Sequence, residues 1–261
     1  MGIQRATGSV TSYIQDWLKQ HPFAVEAFFD RSIVLAYAFP AEQLQEHLPA
    51  CLSLDRFQDK HAFVAVAMVQ TRRLRPKGFP LLLGRDFLLV GYRIFARYVS
   101  RAGKRLRGLY ILRSETDRKS MEVLGNLFTH YRYRRIDVSL RDEGSHTTVR
   151  CDRSGLTVTV DLEEEDDAVP LPGDSPFTDW KDARKFAGPL PFTFSVVPES
   201  RRVVIIEGVR QNWSPRPVRV VEHRVPFVAS LTEGIPTLAS AFVTESTSYW
   251  WKKGVVERWT G

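Results

Sequence analysis

Cysteine is scarce in this chain of 261 residues, with only Cys51 and Cys151, far apart. That scarcity argues against a disulfide-stapled scaffold, and the absence of any Cys-x-x-Cys pair removes the common zinc spacings. Both thiols are expected to be reduced and buried. Long hydrophobic runs are lacking too. Phe79 to Leu83 is apolar but ends at Gly84-Arg85-Asp86, far short of the roughly 20 residues a bilayer span requires. No signal-type hydrophobic region follows Met1, and Ala6 stands where an acylation motif needs Ser or Thr. Also missing are a glycine-rich phosphate loop ending in Lys-Ser/Thr, a His-Glu-x-x-His helix and a Gly-x-Ser-x-Gly elbow. The easy enzyme classes go with them, and an enzyme with dispersed residues stays open. A soluble cytoplasmic protein with no metal, no cofactor and no membrane partner is the expectation.

What is present is an ordinary globular balance, 43% hydrophobic and 26% charged, enough for a substantial core. The net charge of +7 favours anionic partners by long-range attraction. Alternation predicts strands within Phe23–Phe39, His61–Thr71, Arg93–Ser100 and Leu106–Arg113, the last two joined by a turn at Arg101-Ala102-Gly103-Lys104. Further strands are expected at His146–Asp152, Leu156–Leu162, Phe192–Val197, Val203–Val209, Val218–Val225 and Trp250–Trp259. Short helices are expected at Thr11–Gln20, after Pro40, around Met121, Leu124 and Phe128 (capped by Thr116 or Asp117), from Ser175-Pro176 onward, and at Ile235–Ala241. Residues 1–22 read as a helical extension and 163–176 as an acidic, proline-containing loop, with a β domain over 25–259. Many strands with few brief helices imply an α+β, mainly antiparallel barrel or sandwich in one domain.

The most distinctive block is Gly84 to Arg135, where arginine and tyrosine alternate with apolar residues. Arg93, Phe95, Arg97 and Val99 share one face of a strand, and Tyr92, Ile94, Ala96 and Tyr98 share the other. Thr129-His130-Tyr131-Arg132-Tyr133-Arg134 repeats the pattern. Arg93, Arg97, Arg132 and Tyr133 are the candidate ligand-binding residues: arginine clamps carboxylates and tyrosine donates a hydroxyl. The parity also admits the reverse arrangement, arginines outward and tyrosines inside. Asp86, His130 and Tyr131 are the acid–base candidates. Asp86 is equally explained by an ion pair with a strand arginine, and His130 more commonly by a structural role. Lys119, among Asp117, Arg118 and Ser120, reads as solvated. The basic stretches Arg72–Lys77, Arg101–Arg107 and Arg132–Arg135 raise nucleic-acid binding as a minority reading.

Several segments resemble the YqjF-like family, domain of unknown function 2071: Leu35-Ala36-Tyr37-Ala38-Phe39-Pro40 with Leu44, Leu48-Pro49 and Leu54-Asp55; then Arg97-Tyr98-Val99, Gly108-Leu109-Tyr110, Thr129-His130-Tyr131, Phe186 to Phe192, and Tyr249-Trp250-Trp251-Lys252. That family is similar to acetoacetate decarboxylase. The resemblance implies a closed, cone-like antiparallel barrel with an internal cavity. It places the decarboxylase's acidic strand residue on Asp86, its reactive lysine pair on Tyr133 and Arg134, and its substrate-facing arginine near Tyr37 or Ala38. A phenol and a guanidinium form no imine. The resemblance therefore implies a barrel that binds a small anionic or carbonyl compound without Schiff-base chemistry. The alternative is a recognition or scaffold module whose basic surface binds protein or nucleic acid. Homo-oligomerisation is compatible with either.

Overall fold

A computed structural model of the chain describes residues 14–163, 169–188 and 190–259. Most of the acidic run expected in the 163–176 loop lies outside the described residues, as does the start of the Thr11–Gln20 helix, of which 14–18 is helical. The strands are β1 Val25–Pro40, β2 Ser53–Leu54, β3 His61–Pro76, β4 Arg85–Val99, β5 Arg105–Thr116, β6 Tyr133–Arg135, β7 Ser139–Glu143, β8 His146–Cys151, β9 Leu156–Asp161, β10 Phe192–Val197, β11 Arg202–Gln211, β12 Arg216–Pro217, β13 Arg219–Arg224, β14 Thr237–Trp251 and β15 Val255–Arg258. Short helices lie at Ala41–Gln45, Lys119–Phe128, Trp180–Ala187 and Pro226–Ala229. Among the described residues, no helix is long and apolar enough to cross a membrane.

The main sheet has eleven strands, and its path runs β12-β14-β1-β3-β4-β5-β10-β11-β15. Nearly all pairs are antiparallel; β5 pairs in parallel with β10 and with β6. β14 pairs with β1 along its whole length. Its last residues, Ser248–Trp251, also pair with Gln211–Gly208 of β11. A second, four-stranded sheet runs β13-β9-β8-β7.

Long strands arise here because both faces are apolar. In β4, Leu88, Val90, Tyr92, Ile94, Ala96 and Tyr98 alternate with Phe87, Leu89, Arg93 and Phe95. The first set joins Ile33, Leu35 and Tyr37 of β1 and Val64 and Val66 of β3. Together they form one core with Val149, Leu156, Val158 and Val160 of the second sheet. The opposite face of these strands carries a second aromatic cluster and a cavity. At one end it is filled by Phe63, Phe95, Phe177 and Phe186; Phe63 and Phe177 stack with centroids 5.3 Å apart. At the other end it is lined but not filled.

Some sequence expectations are corrected. Ile235–Ala241 is not helical, because Thr237–Trp251 is one continuous strand held by β1. Trp250–Trp259 is two strands, broken at 252–254. Neither Thr116 nor Asp117 caps the Lys119–Phe128 helix, since the Asp117 carboxylate accepts from the Leu88 amide at 2.8 Å. The later helix starts at Trp180 and is capped by Asp179, which accepts from the Asp182 amide at 2.7 Å. Ser175 instead donates to the Ala239 carbonyl at 2.7 Å. Cys151 is buried and Cys51 partly exposed, both free thiols.

Candidate functional site

The unfilled end is a chamber of about 320 Å³. Its walls are mostly apolar, from Phe23, Val69, Phe87, Leu89, Met121 and Trp251. Its polar groups are Arg93, Tyr131, Tyr133, Tyr249, Thr71, Thr129 and His21, with Arg75 and Arg85 also lining it. A smaller annex of about 110 Å³ lies beyond Phe29 and Tyr249, which line both spaces and stack at 4.9 Å. Arg210 lines the annex, with its guanidinium 5.0 Å from the Tyr249 ring centre. Among the described residues, neither space is lined by a carboxylate or a lysine.

Three glycines make room for the polar groups. A Cβ on Gly91 would stand 2.9 Å from Nη2 of Arg93. One on Gly125 would collide with the Tyr133 ring, and one on Gly208 with the Tyr249 hydroxyl. The Asn126 side chain then clasps the backbone of Tyr133. It accepts from the Tyr133 amide at 2.8 Å and donates to its carbonyl at 2.9 Å. The site is thus held by rigid elements of β4, β14 and the Lys119–Phe128 helix.

Arg93 lies deep in the fold and lines the chamber. Its Nε has no hydrogen-bond partner. Burial pushes its pKa down; around it stand the titratable phenols of Tyr131, Tyr133 and Tyr249 and the Arg210 guanidinium. Burial raises Tyr133 to about 12, against the pull of Arg93, and raises Tyr131 further. Both phenols are therefore neutral donors at neutral pH. His21 is lowered to about 4 by burial, partly offset by the Lys252 backbone, and its Nδ1 is unpartnered. The arrangement offers a deep cation, Arg93, and several hydroxyls to a bound group in largely apolar surroundings.

The structure brings three of the sequence candidates together here: Arg93, Tyr131 and Tyr133. The rest are elsewhere. His130 and Arg132 line a separate crevice of about 230 Å³ with Lys19 and Asn126. That crevice sits where β5 passes from its β10 pairing to its β6 pairing. The expected strand over 129–134 shrinks to Tyr133–Arg135, because Arg132 turns the chain with φ 56°. Arg97 is engaged with fully buried Asp55, Nε to Oδ1 at 2.5 Å; Arg107 holds the other oxygen at 2.7 Å. Asp86 is turned away from the chamber that Arg85 and Phe87 line. Its carboxylate takes the Arg73 amide at 2.8 Å and Arg72 at 3.1 Å, and the Arg73 amide leads in holding its pKa down. His21, Thr71, Arg210 and Tyr249 were missed. Tyr249 was named only within the family-like segment Tyr249-Trp250-Trp251-Lys252, and its further signal was its place two residues before Trp251, on the same face of a strand.

Solved structures share this fold. Acetoacetate decarboxylase from Legionella pneumophila subsp. pneumophila str. Philadelphia 1 superposes with a TM-score of 0.59 at 13% identity, covering 92% of this chain and 90% of that one. An acetoacetate decarboxylase-like enzyme from Sphingomonas wittichii RW1 gives 0.57 at 13% identity, covering 92% and 94%. The enduracididine biosynthesis enzyme MppR complexed with pyruvate gives 0.54 at 10% identity, covering 90% of each chain. No curated protein matches the sequence. Residues 27–198 match DUF2071, described as an uncharacterized conserved protein, and the chain belongs to that family within the acetoacetate decarboxylase-like fold.

Proposed function

We propose that this protein binds an organic anion with an apolar body inside a closed β-barrel, the anionic group on Arg93. One observation carries the reading: a deep arginine faces a cavity with apolar walls and no carboxylate among the described lining residues. Unpaired buried charge is costly, so a ligand carboxylate is the natural counter-charge. Tyr131, Tyr133 and Tyr249 supply hydroxyl donors around it, and the annex beyond Phe29 and Tyr249 extends the apolar part. The pairing of β11 with both β10 and β14 supports closure, since it leaves β14-β1-β3-β4-β5-β10-β11 with neighbours on either side. A structural neighbour that carries pyruvate supports a small carboxylate in this fold. The absence of lysine from the described lining residues supports binding without imine chemistry.

Thermal unfolding in the presence of acetate, hexanoate and octanoate tests this. A ligand at 100 times its Kd adds about 2.7 kcal/mol, a rise of several degrees for a chain of this size. Octanoate is expected to stabilise more than acetate, octanol less than octanoate, and Arg93→Gln is expected to lose the octanoate effect. Without ligand, Arg93→Gln is expected to melt no lower than the parent chain, because it removes an uncompensated charge. Equal stabilisation of the variant by octanoate, or none of the parent, would sink the proposal.

A further inference from the structure

Segments bordering the chamber carry most of the exposed large apolar side chains. Of the fourteen such residues among the described ones, nine fall on three segments: the turn 14–18, the β3–β4 connection 77–84 and the helix Lys119–Phe128. Each segment is continuous with, or itself supplies, chamber lining: His21 and Phe23, Arg75 and Arg85, Leu124 and Phe128. The connection is the extreme case. Phe79, Leu81 and Leu83 are each more than half exposed and Leu82 is 93% exposed. Their exposure is built in. Leu83 and Gly84 amides donate to Pro80 and Leu81 carbonyls at 3.0 and 2.9 Å. The Arg75 guanidinium ties the Phe79 and Arg73 carbonyls at 3.0 and 2.9 Å and pairs with Glu26 at 2.7 Å. A rigid platform therefore holds apolar side chains out in water.

The charge around this platform says what covers it. Four nearby carboxylates are paired, Glu26 with Arg75, Asp30 and Asp86 with Arg72, and Asp16 with Arg202, and Glu122 on the rim helix accepts from the Arg135 amide at 3.0 Å. Among the described residues, the Lys77, Arg85 and Lys19 side chains form no ion pair with a carboxylate, and Arg73 meets Asp86 through its backbone amide. Lys77 packs its ammonium over Trp250 at 4.5 Å. Exposed leucines ringed by unneutralised cations match the headgroup boundary of an anionic bilayer. A second copy fits poorly, since two such faces would bring like charges together. We propose that the 77–84 tip and its neighbouring rim dock on anionic membrane surface, placing the chamber mouth against the lipid. Resting on the function proposed above, an amphipathic carboxylate would then pass between bilayer and chamber. The rule that excludes a membrane span concerns length, and it has no bearing on a surface contact.

Flotation of the full chain with phosphatidylglycerol vesicles and with phosphatidylcholine vesicles tests the docking. Binding is expected to phosphatidylglycerol, to weaken with salt, and to fall at least tenfold in Leu81→Ser/Leu82→Ser, whose melting temperature should match the parent's. Arg93→Gln is expected to keep vesicle binding, so that failure of the ligand site and failure of the docking surface are read separately. Binding no stronger to phosphatidylglycerol than to phosphatidylcholine would overturn the proposal. So would a dimer in solution that the double substitution converts to monomer, since the tips would then cover each other.

Discussion

At the scale of single residues, the chamber is a place where stability is given up. Arg93 keeps a charge in apolar surroundings, and Thr71 Oγ1 and His21 Nδ1 are buried without partners. Each such group costs on the order of 1–3 kcal/mol, a sacrifice that binding sites commonly show. His21 makes the cost measurable through pH. Its folded pKa is about 4, below the roughly 6.5 of an unfolded chain. Between these values the unfolded state binds the proton and the folded state does not. Stability is therefore complete above the unfolded value and is lost as pH falls toward the folded one, by about 3 kcal/mol in all. Urea unfolding at pH 7 and pH 4.5 should show this loss in the parent chain and a distinctly smaller one in His21→Asn. Asn suits the test because residue 21 has φ 55°, a region Asn tolerates. An identical loss in the variant would assign the pH dependence to other groups.

At the scale of elements, the Lys119–Phe128 helix shows how local preference yields to the site. Gly125 is a poor helix former, and alanine there would gain about 1 kcal/mol of propensity. The Tyr133 ring occupies the space of that Cβ, and overpacking costs about 1–3 kcal/mol. Gly125→Ala is expected to be net destabilising by denaturant unfolding and to reduce the octanoate effect, because the displaced ring lines the chamber. A gain in stability would mean that Tyr133 is free to move. The same contrast explains what the sequence disclosed. β1, β3 and β4 were legible because their alternation runs unbroken through Ile33–Phe39, Ala62–Val69 and Leu88–Tyr98, and the Arg101–Lys104 turn was legible from Gly103. The Ile235–Ala241 error came from a stretch whose strand state depends on β1, which is distant in sequence. Arg93 and Tyr131 were candidates by residue type, while strand parity left open which face lines the cavity. Arg97 and Asp86 look identical in sequence terms, yet Asp55 and Arg72, brought in by the fold, neutralise them. Partners of that kind leave no local trace.

At the scale of the whole molecule, the chamber depends on the seam between β11 and β14. Gly208–Gln211 and Ser248–Trp251 form an antiparallel ladder, so the wall carrying Tyr249 is expected to be as firm as β1 and β3. If the pairing were transient, the sheet would be open, with β11 presenting unpaired amides to water. Amide hydrogen exchange separates the two. Opening free energies within a fold range from near zero at fraying edges to the global value in central strands. Seam amides directed into the ladder are expected to exchange as slowly as those of Val64–Met68, whose strand has paired neighbours on both sides. Amides of the exposed 77–84 tip should exchange orders of magnitude faster. Tyr249 gives the seam a functional reading as well. Its hydroxyl packs on Gly208, across this ladder. Octanoate held by Arg93 and Tyr249 would therefore slow exchange at the seam beyond its effect on β3. Fast exchange at Gly208–Gln211, unchanged by ligand, would mean an open sheet and a chamber without a fixed wall.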